Sequence, residues 1–512
     1  MSAGSRLCLC LTGQTLEADL RLVEEYRPSV ALLELRADFL TAGEAAAAAR
    51  FPGLAGLPVI LTVRRARDGG RFAGSEEQRV ALLRRVAGGG FSFVDLEDDL
   101  EAAGLEPLVE AAGGRIIRSM HDFSGVPSDL AARVRRTARS LRELPKAAVM
   151  TRGAADLARL LVASEELSGV EKVLLGMGDC GFATRVLASR FGSLICYSSA
   201  PGESAAPGQA DPRTLESVYR FSRIDPDTAI YGVIGNPVMH SLSPLIHNRG
   251  FAALGMNAVY LPFLVDDLAA FGLVADSLGI RGLSVTVPLK EAVLPLLARQ
   301  DALVEALGAC NTMTRTKEGA EPGASAKRGG WAGTNTDVEG FLSPLRSAFG
   351  GKIPRGLRAT VIGAGGASRA VLHALLASGA DVLLLNRTEG RARELARRFP
   401  VRTAPLDEEA PRLARGYSDL IVQASSAGME PGADIDPFPG YQFTGREVVY
   451  ELVYAPPVTA FLDRARRAGC GVVFGKEMLI AQAREQFRLF TGSELPAEAE
   501  EPHRENIHET PP

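Results

Sequence analysis

Across residues 1–222, short apolar runs alternate with longer stretches in which Ala, Leu and Arg recur at helical spacing. The runs cover 6–12, 30–38, 58–64, 92–97, 115–121, 146–150, 171–178 and 193–199. Each is too short for a helix, so eight strands separated by helical segments are predicted. An even β/α alternation of this kind fits a (β/α)8 barrel, in which catalytic groups gather at the C-terminal ends of the strands. The polar residues predicted there are Glu34, Arg36, Arg64, His121 and Arg185.

The pattern breaks at the polar stretch 223–228, which reads as a linker, and a new β/α pattern starts at 229–235. Near residue 360 an apolar run enters the glycine cluster Gly363-Ala364-Gly365-Gly366-Ala367-Ser368 and then a helical stretch, a dinucleotide-binding signal. The second half is therefore expected to pair a substrate domain, 229–338, with a Rossmann domain, 339–475. A helix at 476–492 is expected to return to the substrate domain. Residues 317–330 are expected to form a mobile hairpin loop, and the acidic, Pro-containing stretch 493–512 a disordered tail.

A chain of 512 residues is too long for one core. Its net charge of −4 argues against a nucleic-acid or anionic-membrane partner, and no apolar run reaches the ~18 residues of a membrane span. Strand-like sequence begins almost at once, so no signal or transit peptide is expected. The six cysteines show no disulfide framework. Cys8 and Cys10 have no second Cys/His pair at ligand spacing, so buried thiols in a reducing cytoplasm are expected, with no metal.

Of 57 cationic side chains only seven are lysines, and two of these interrupt strand-like sequence: Lys146 and Lys290. Arginine supplies a permanent cation, whereas a lysine at such a place suits a removable proton or a nucleophilic amine. His121 ends the fifth run and Lys146 begins the sixth, so both should reach one barrel mouth. An imine-forming amine must first lose its proton, which costs roughly 4.6 kcal/mol at pH 7 for a lysine of ordinary pKa. Apolar surroundings and neighbouring cations are expected to recover much of that at Lys146. The arginines imply a substrate with a carboxylate and hydroxyls.

In the second half, Ser241 and Ser243 at i, i+2 would point the same way if the segment is extended. Lys290 beside Asp337 is expected to keep its proton and deliver it to an alkoxide formed on hydride transfer. Gly363 would make the tight turn, and Gly365 would let backbone amides approach a pyrophosphate. The next strand ends at Asn386-Arg387-Thr388, where an NAD enzyme would carry an acid; this neutral-to-basic end suits the 2′-phosphate of NADP(H).

Residues 6 to about 220 resemble type I 3-dehydroquinate dehydratase. The stretches that carry the resemblance are Glu34-Leu35-Arg36-Ala37-Asp38, Thr62-Val63-Arg64, Ser119-Met120-His121-Asp122-Phe123, Pro145-Lys146, Gly181-Phe182-Ala183-Thr184-Arg185 and Ala206-Pro207-Gly208-Gln209. The resemblance implies a metal-free barrel enzyme in which Lys146 forms the imine and His121 moves protons. Glu34, Arg36 and Arg64 would hold hydroxyls, and Arg185 and Gln209 the carboxylate end. Asp68 stands where the family usually has a Glu partner for the histidine. In the last loop Ser204-Ala205-Ala206-Pro207-Gly208-Gln209 replaces Ser-Ala-Pro-Gly-Gln, so one hydroxyl contact is lost or moves to Ser204.

Residues 229–492 resemble shikimate dehydrogenase, through the motifs above and through Asn311, Tyr454 and Met478-Leu479-Ile480-Ala481-Gln482. By that resemblance Lys290 and Asp337 are catalytic, and Ser241, Ser243, Thr286, Asn311, Tyr454 and Gln482 bind substrate. Gly363, Ala364, Gly365, Gly366, Ala367, Asn386, Arg387, Thr388, Met429 and Gly475 would contact NADP. Leu289 and Glu451 replace a common His and a common Asp. The expectation is a bifunctional enzyme of small-molecule substrates, a monomer or weak homo-oligomer, dehydrating 3-dehydroquinate and then reducing 3-dehydroshikimate. Its rivals are a quinate-preferring dehydrogenase fused to the barrel, and a barrel that has lost catalysis and serves as a scaffold.

Overall fold

The computed structural model describes residues 4–102, 104–316, 329–429 and 432–500. Among the described residues the chain forms two compact units, one of residues up to Gly232 with Pro237–Ile280, the other of Val233–Asn236 with 281–500.

All eight predicted runs of the first unit become strands: β1 (Arg6–Leu11), β2 (Leu32–Arg36), β3 (Val59–Thr62), β4 (Phe93–Glu97), β5 (Arg115–Asp122), β6 (Leu144–Met150), β7 (Val173–Met177) and β8 (Ile195–Ser199). They pair in the order β7-β6-β5-β4-β3-β2-β1-β8, all parallel. The sheet closes through a parallel bridge between Lys172 and Ser193. Inward side chains including Cys8, Cys10, Leu32, Ile60, Phe93, Ile117, Leu144 and Val173 form one apolar cluster, so the barrel interior is a packed core.

The helix Ala154–Glu166, which follows β6, packs against the helix Leu268–Leu278 within the same unit. Its N-terminus is capped from far along the chain, since Ala154 N donates to Asp266 Oδ1 (2.9 Å). Glycine at 153 leaves room for this carboxylate, since a Cβ there would lie 2.2 Å from Asp266 Oδ2 and displace it. The segment 223–228 is tied down, with Asp225 accepting hydrogen bonds from Thr228 Oγ1 (3.0 Å) and Asn257 Nδ2 (3.0 Å).

β9 (Ala229–Gly235) lies beside β10 (Ala258–Leu264), and in the second unit β11 (Gly282–Val285), β12 (Leu297–Gln300), β13 (Thr312–Arg315) and β14 (Trp331–Thr334) pair in the order β11-β13-β14-β12. Of the loop expected at 317–330, residues 317–328 lie outside the described residues. Its end is anchored, since Thr316 N donates to Gly330 O (2.9 Å).

The last sheet comprises β15 (Arg358–Ile362), β16 (Asp381–Asn386), β17 (Arg402–Pro405), β18 (Leu420–Gln423), β19 (Val448–Glu451) and β20 (Gly471–Val473). Its order is β17-β16-β15-β18-β19-β20 and every pairing is parallel. Side chains alternate between two apolar clusters, Val361, Leu384 and Val422 on one face and Ile362, Leu385 and Ile421 on the other. Strand order reverses between β15 and β18, the place where open parallel sheets bind nucleotides.

The helix Gly475–Thr491 packs along the helix Asp337–Ala348, and Gly340 permits it, since a Cβ there would sit 2.7 Å from Gln482 Cβ. Of the disordered tail expected at 493–512, residues 493–500 are described and packed. Leu495 and Ala499 are buried and Glu500 Oε1 accepts from Arg484 Nε (2.6 Å); residues 501–512 lie outside the described residues.

Candidate active sites

One cavity at the barrel mouth is lined by Glu34, Arg36, Arg64, Asp68, His121, Lys146, Arg185 and Gln209, gathering eight predicted residues from across the sequence. Arg36 and His121 lie at the C-terminal ends of their strands and Arg64 just beyond one, whereas Glu34 and Lys146 lie within strands and Asp68 and Gln209 in the turns and loops that follow strands. Arg185 differs, lying in the short helix Phe182–Val186 after β7 and not at a strand end. Ser204 is also displaced. It is exposed, donates to Ala206 O (2.8 Å), and does not line the cavity, whereas Ala205 and Ala206 do.

Lys146 shares its cavity with Ala148, Leu175, Met177 and Tyr197, but a carboxylate that was not expected also meets its amine. Its Nζ donates to Asp95 Oδ2 (2.9 Å) and lies 4.2 Å from the centroid of the Tyr197 ring. Asp95 is held in turn by Arg64 Nη2 (2.9 Å) and by Ser119 Oγ (2.6 Å). Burial alone would raise the Asp95 carboxyl, but the Arg64 guanidinium and the Lys146 ammonium outweigh it and hold the group well below the usual carboxylate range. Arg64 also donates to Glu97 Oε1 (3.1 Å), and Arg79 Nη1 pairs with Glu97 Oε2 (2.8 Å). Arg64, expected to grip substrate hydroxyls, thus spends its guanidinium on a carboxylate network. Sequence reading missed Asp95 and Glu97, although two acids at i, i+2 in an apolar strand share one face and cannot be buried there unpaired.

His121 is pushed well below the usual imidazole range by burial, then by the Arg64 and Lys146 cations. It is neutral at pH 7. Its Nδ1 is buried with no hydrogen-bond partner among the described residues. Asp68, expected as its partner, pairs instead with Arg65 and lies 3.8 Å from Arg67 Nε. The shorter side chain keeps its carboxylate with its own turn.

Glu34 accepts from Thr62 Oγ1 (2.8 Å) and from the Cys10 thiol (3.0 Å), and Gln209 Nε2 donates to the same sulfur (3.1 Å). Arg36 forms a two-point pair with Asp38 (2.9 and 2.8 Å). Arg185 is different: 1% exposed, it donates only to the carbonyls of Tyr197 and Pro207 (3.0 Å each), and its Nε has no partner among the described residues. A buried guanidinium with no carboxylate beside it is prepared for an anionic ligand.

In the second unit Lys290 Nζ donates to Asp337 Oδ2. Asp337 opens the helix Asp337–Ala348, where a carboxylate is favoured by the helix dipole, and its Oδ1 accepts from Asn311 Nδ2 (2.8 Å). Thr286 follows β11. Gln482 lies on the C-terminal helix with its Nε2 turned to Leu479 O (3.0 Å), and Tyr454 lies just beyond β19. Ser241 and Ser243 belong to the first unit and are not in an extended segment. Leu242 has helical torsions, Ser243 starts the helix Ser243–Ala253, and Ser243 N donates to Ser241 Oγ (3.3 Å). The i, i+2 strand argument therefore does not apply to them.

The glycine turn follows β15. Gly363 has φ +109°, and a Cβ there would lie 2.8 Å from Ser425 N. Gly365 is exposed with open space where a Cβ would stand, and Gly366 comes so close to Lys290 that its Cβ would be 3.6 Å from Lys290 Cδ. Ser368, at the usual third-glycine position, closes the turn by donating to Gly363 O (2.8 Å) and accepting from Gly365 N (3.1 Å). Amides opening the helix Gly366–Ala377 lack intrahelical acceptors and suit a pyrophosphate. Asn386 Oδ1 accepts from Ala364 N (3.2 Å), while Arg387 and Thr388 are exposed at the end of β16 and Met429 is 45% exposed. Gly475 allows close backbone approach, since a Cβ would lie 2.5 Å from Val453 O. These residues fit a 2′-phosphorylated dinucleotide. Among the described residues no group of three His, Cys, Asp or Glu is placed to hold a metal ion.

A buried barrel amine and a second lysine beside a nucleotide-binding turn define a Schiff-base lyase joined to a nicotinamide-dependent oxidoreductase. Comparisons with known proteins agree. Family models match for type I 3-dehydroquinase over residues 7–226, the shikimate dehydrogenase substrate-binding domain over 233–313, shikimate/quinate 5-dehydrogenase over 351–430, and the shikimate 5′-dehydrogenase C-terminal domain over 475–499. The bifunctional 3-dehydroquinate dehydratase/shikimate dehydrogenase of Arabidopsis thaliana, a chloroplastic protein, is 32% identical over 461 residues, covering 86% of this chain and 74% of that one. The NADP(+) shikimate dehydrogenase of Moorella thermoacetica is 41% identical over 283 residues, covering 54% of this chain and 92% of that one. The solved shikimate dehydrogenase of Aquifex aeolicus is 33% identical with a TM-score of 0.48, covering 56% of this chain and 100% of that one.

The chain belongs to the bifunctional 3-dehydroquinate dehydratase/shikimate dehydrogenase family. It is a lyase and an NADP-dependent oxidoreductase of the shikimate pathway.

Proposed function

We propose that Lys146 forms an imine with the ketone of 3-dehydroquinate while His121 moves the protons beside it. A neutral, buried imidazole can take the proton from the carbon next to the imine and return it to the departing hydroxyl. Arg185 would hold the substrate carboxylate, with Gln209 shaping the loop above it. Glu34 and Arg36 would meet ring hydroxyls. The observation that carries this reading is Arg185, a buried cation without a carboxylate partner among the described residues, in one cavity with Lys146 and His121.

In the second reaction Lys290, paired with Asp337, would hand its proton to the oxygen of 3-dehydroshikimate as the ketone is reduced. Asn311 fixes the Asp337 carboxylate, and Ser241, Ser243, Thr286, Tyr454 and Gln482 would contact substrate. Gly363, Ala364, Gly365, Gly366, Ala367, Asn386, Arg387, Thr388, Met429 and Gly475 would hold NADPH, which supplies the hydride. The proximity of Gly366 to Lys290 supports placing nucleotide and proton donor at one site. Small-molecule substrates account for both sites. The free cysteines support a cytoplasmic setting, and no helix among the described residues is long and apolar enough to cross a membrane.

A single preparation given 3-dehydroquinate and NADPH should consume NADPH without added enzymes. Lys146→Ala should stop this but leave NADP-dependent oxidation of shikimate intact; Lys290→Ala should do the reverse, accumulating 3-dehydroshikimate. A Lys146→Ala protein that still dehydrates 3-dehydroquinate refutes the first assignment. Faster oxidation of quinate than of shikimate would favour a quinate-preferring enzyme.

A further inference from the structure

We propose that Asp95 is a positioning residue of the dehydratase, acting as the fixed counter-ion that keeps the Lys146 imine protonated through the elimination. The proposal rests on the assignment of Lys146 as the imine-forming amine. Its ground is geometric. Asp95 Oδ2 lies 2.9 Å from Lys146 Nζ, its side chain is fully buried, and its other oxygen is occupied by Arg64 and Ser119. A carboxylate so held cannot swing away when the amine becomes an imine.

The chemistry shows what such an anion does. Nζ adds to the ketone carbon and water leaves, giving a C=N bond whose nitrogen carries a proton and a positive charge. His121 removes a proton from the adjacent carbon, and the electron pair left behind flows into the iminium to make an enamine. The enamine pair then expels the hydroxyl on the next carbon, which takes the proton from His121 and departs as water. Hydrolysis of the imine returns the ketone and the free amine. Only a protonated imine accepts that electron pair readily, so any group that holds the nitrogen's proton sets the alkaline end of the working pH range.

The groups facing Lys146 include two cations that oppose such protonation. They are Arg64 on the loop after β3 and Arg185 in the short helix after β7, with Glu34 from β2, His121 from β5, Tyr197 from β8 and the Cys8 thiol from β1 completing the surround. His121 is neutral, and Glu34 is engaged by Thr62 and Cys10. Among the described residues Asp95 is the carboxylate in direct contact with the nitrogen. Arg64 serves a different end, because by bridging Asp95 and Glu97 it keeps Asp95 ionised when the amine is transiently neutral.

The test is the pH dependence of kcat for dehydration in the full chain. Asp95→Asn keeps the shape and loses the charge. Its alkaline limb is expected to fall by about one to three pH units, with kcat at pH 8 at least tenfold lower. Shikimate oxidation by the same polypeptide should be unchanged, which reports that the dehydrogenase half is intact, and borohydride trapping of substrate on Lys146 in the variant reports that the barrel is folded. Asp95→Ala gives a second readout that remains if the asparagine variant does not fold: formate should restore turnover, and neutral formamide should not. An unmoved alkaline limb, or equal rescue by formate and formamide, overturns the proposal. Borohydride reduction of wild type with 3-dehydroquinate separates the two levels. Absence of an adduct on Lys146 removes the imine assignment itself, whereas an adduct with an unmoved limb in Asp95→Asn removes only the counter-ion.

Discussion

Glu451 ends β19 with no exposed surface, and it offers a measurable link between burial and pH. Burial pushes its carboxyl up to about 7, against the hydrogen bonds it accepts from Val453 N (2.9 Å) and Thr459 Oγ1 (2.9 Å). A glutamate in an unfolded chain titrates near about 4.3. Between these values the folded protein holds the proton and the unfolded chain has lost it, so stability falls as pH rises through that window and levels off above about 7. A difference of roughly 2.7 units corresponds to at most about 4 kcal/mol at pH 8. Glu451→Gln removes the ionisation while its carbonyl can still accept from Val453 N, and the Thr459 hydroxyl can turn to accept from the amide. The variant should therefore be more stable than the parent by about 2–3 kcal/mol at pH 8, with the two converging near pH 4. Trp331 is the single tryptophan and lies in the same compact unit as Glu451, so its fluorescence during denaturant unfolding reports the relevant transition. A variant no more stable than the parent at pH 8, or a difference independent of pH, refutes the reasoning.

Other consequences can be checked by activity. His121→Ala should lower dehydratase kcat about 10²- to 10⁴-fold, while borohydride still traps substrate on Lys146; loss of both together contradicts a pure proton-transfer role. Because burial keeps His121 unprotonated, the acid limb of kcat/KM in wild type should lie below pH 6.5, the ordinary imidazole value. Arg387→Ala should raise KM for NADPH about 10- to 100-fold, the worth of a lost charged hydrogen bond, and leave KM for NADH nearly unchanged. Gly363→Ala should cost about 1–3 kcal/mol of strain at φ +109°, lowering the melting temperature of the dehydrogenase unit while the dehydratase stays active; an unaltered melt refutes the conformational requirement.

Periodicity made the architecture legible because the barrel strands are buried along nearly their whole length and so read as continuous apolar runs. β12 escaped notice for the opposite reason, since Ala298, Arg299 and Gln300 are all exposed. Lys146, His121 and Arg185 were singled out from residue type and place, and the three line one cavity. What pairs with them was not, because the contacts join residues such as Lys146 and Asp95 that stand 51 positions apart. The acids of β4 could have been picked out as charges that must find partners, yet nothing local says which cation each would take. Asp68 shows the same limit: the sequence offered a carboxylate near the right place, and Arg65, three residues away, claims it.

The carboxylate of Asp266 has a bearing on how the chain can be divided and made. The barrel helix that follows the Lys146 strand borrows its N-terminal cap from a residue well beyond the linker, and it shares its flank with the helix Leu268–Leu278. A gene cut at 223–228 would therefore yield a dehydratase fragment with a frayed helix end, poorer by about 0.5–2 kcal/mol for the cap alone, and with a newly bared apolar side. During synthesis, likewise, this helix end lacks its cap until Asp266 has been made, so one contact of the first enzyme's barrel is supplied by residues that belong in sequence to the second.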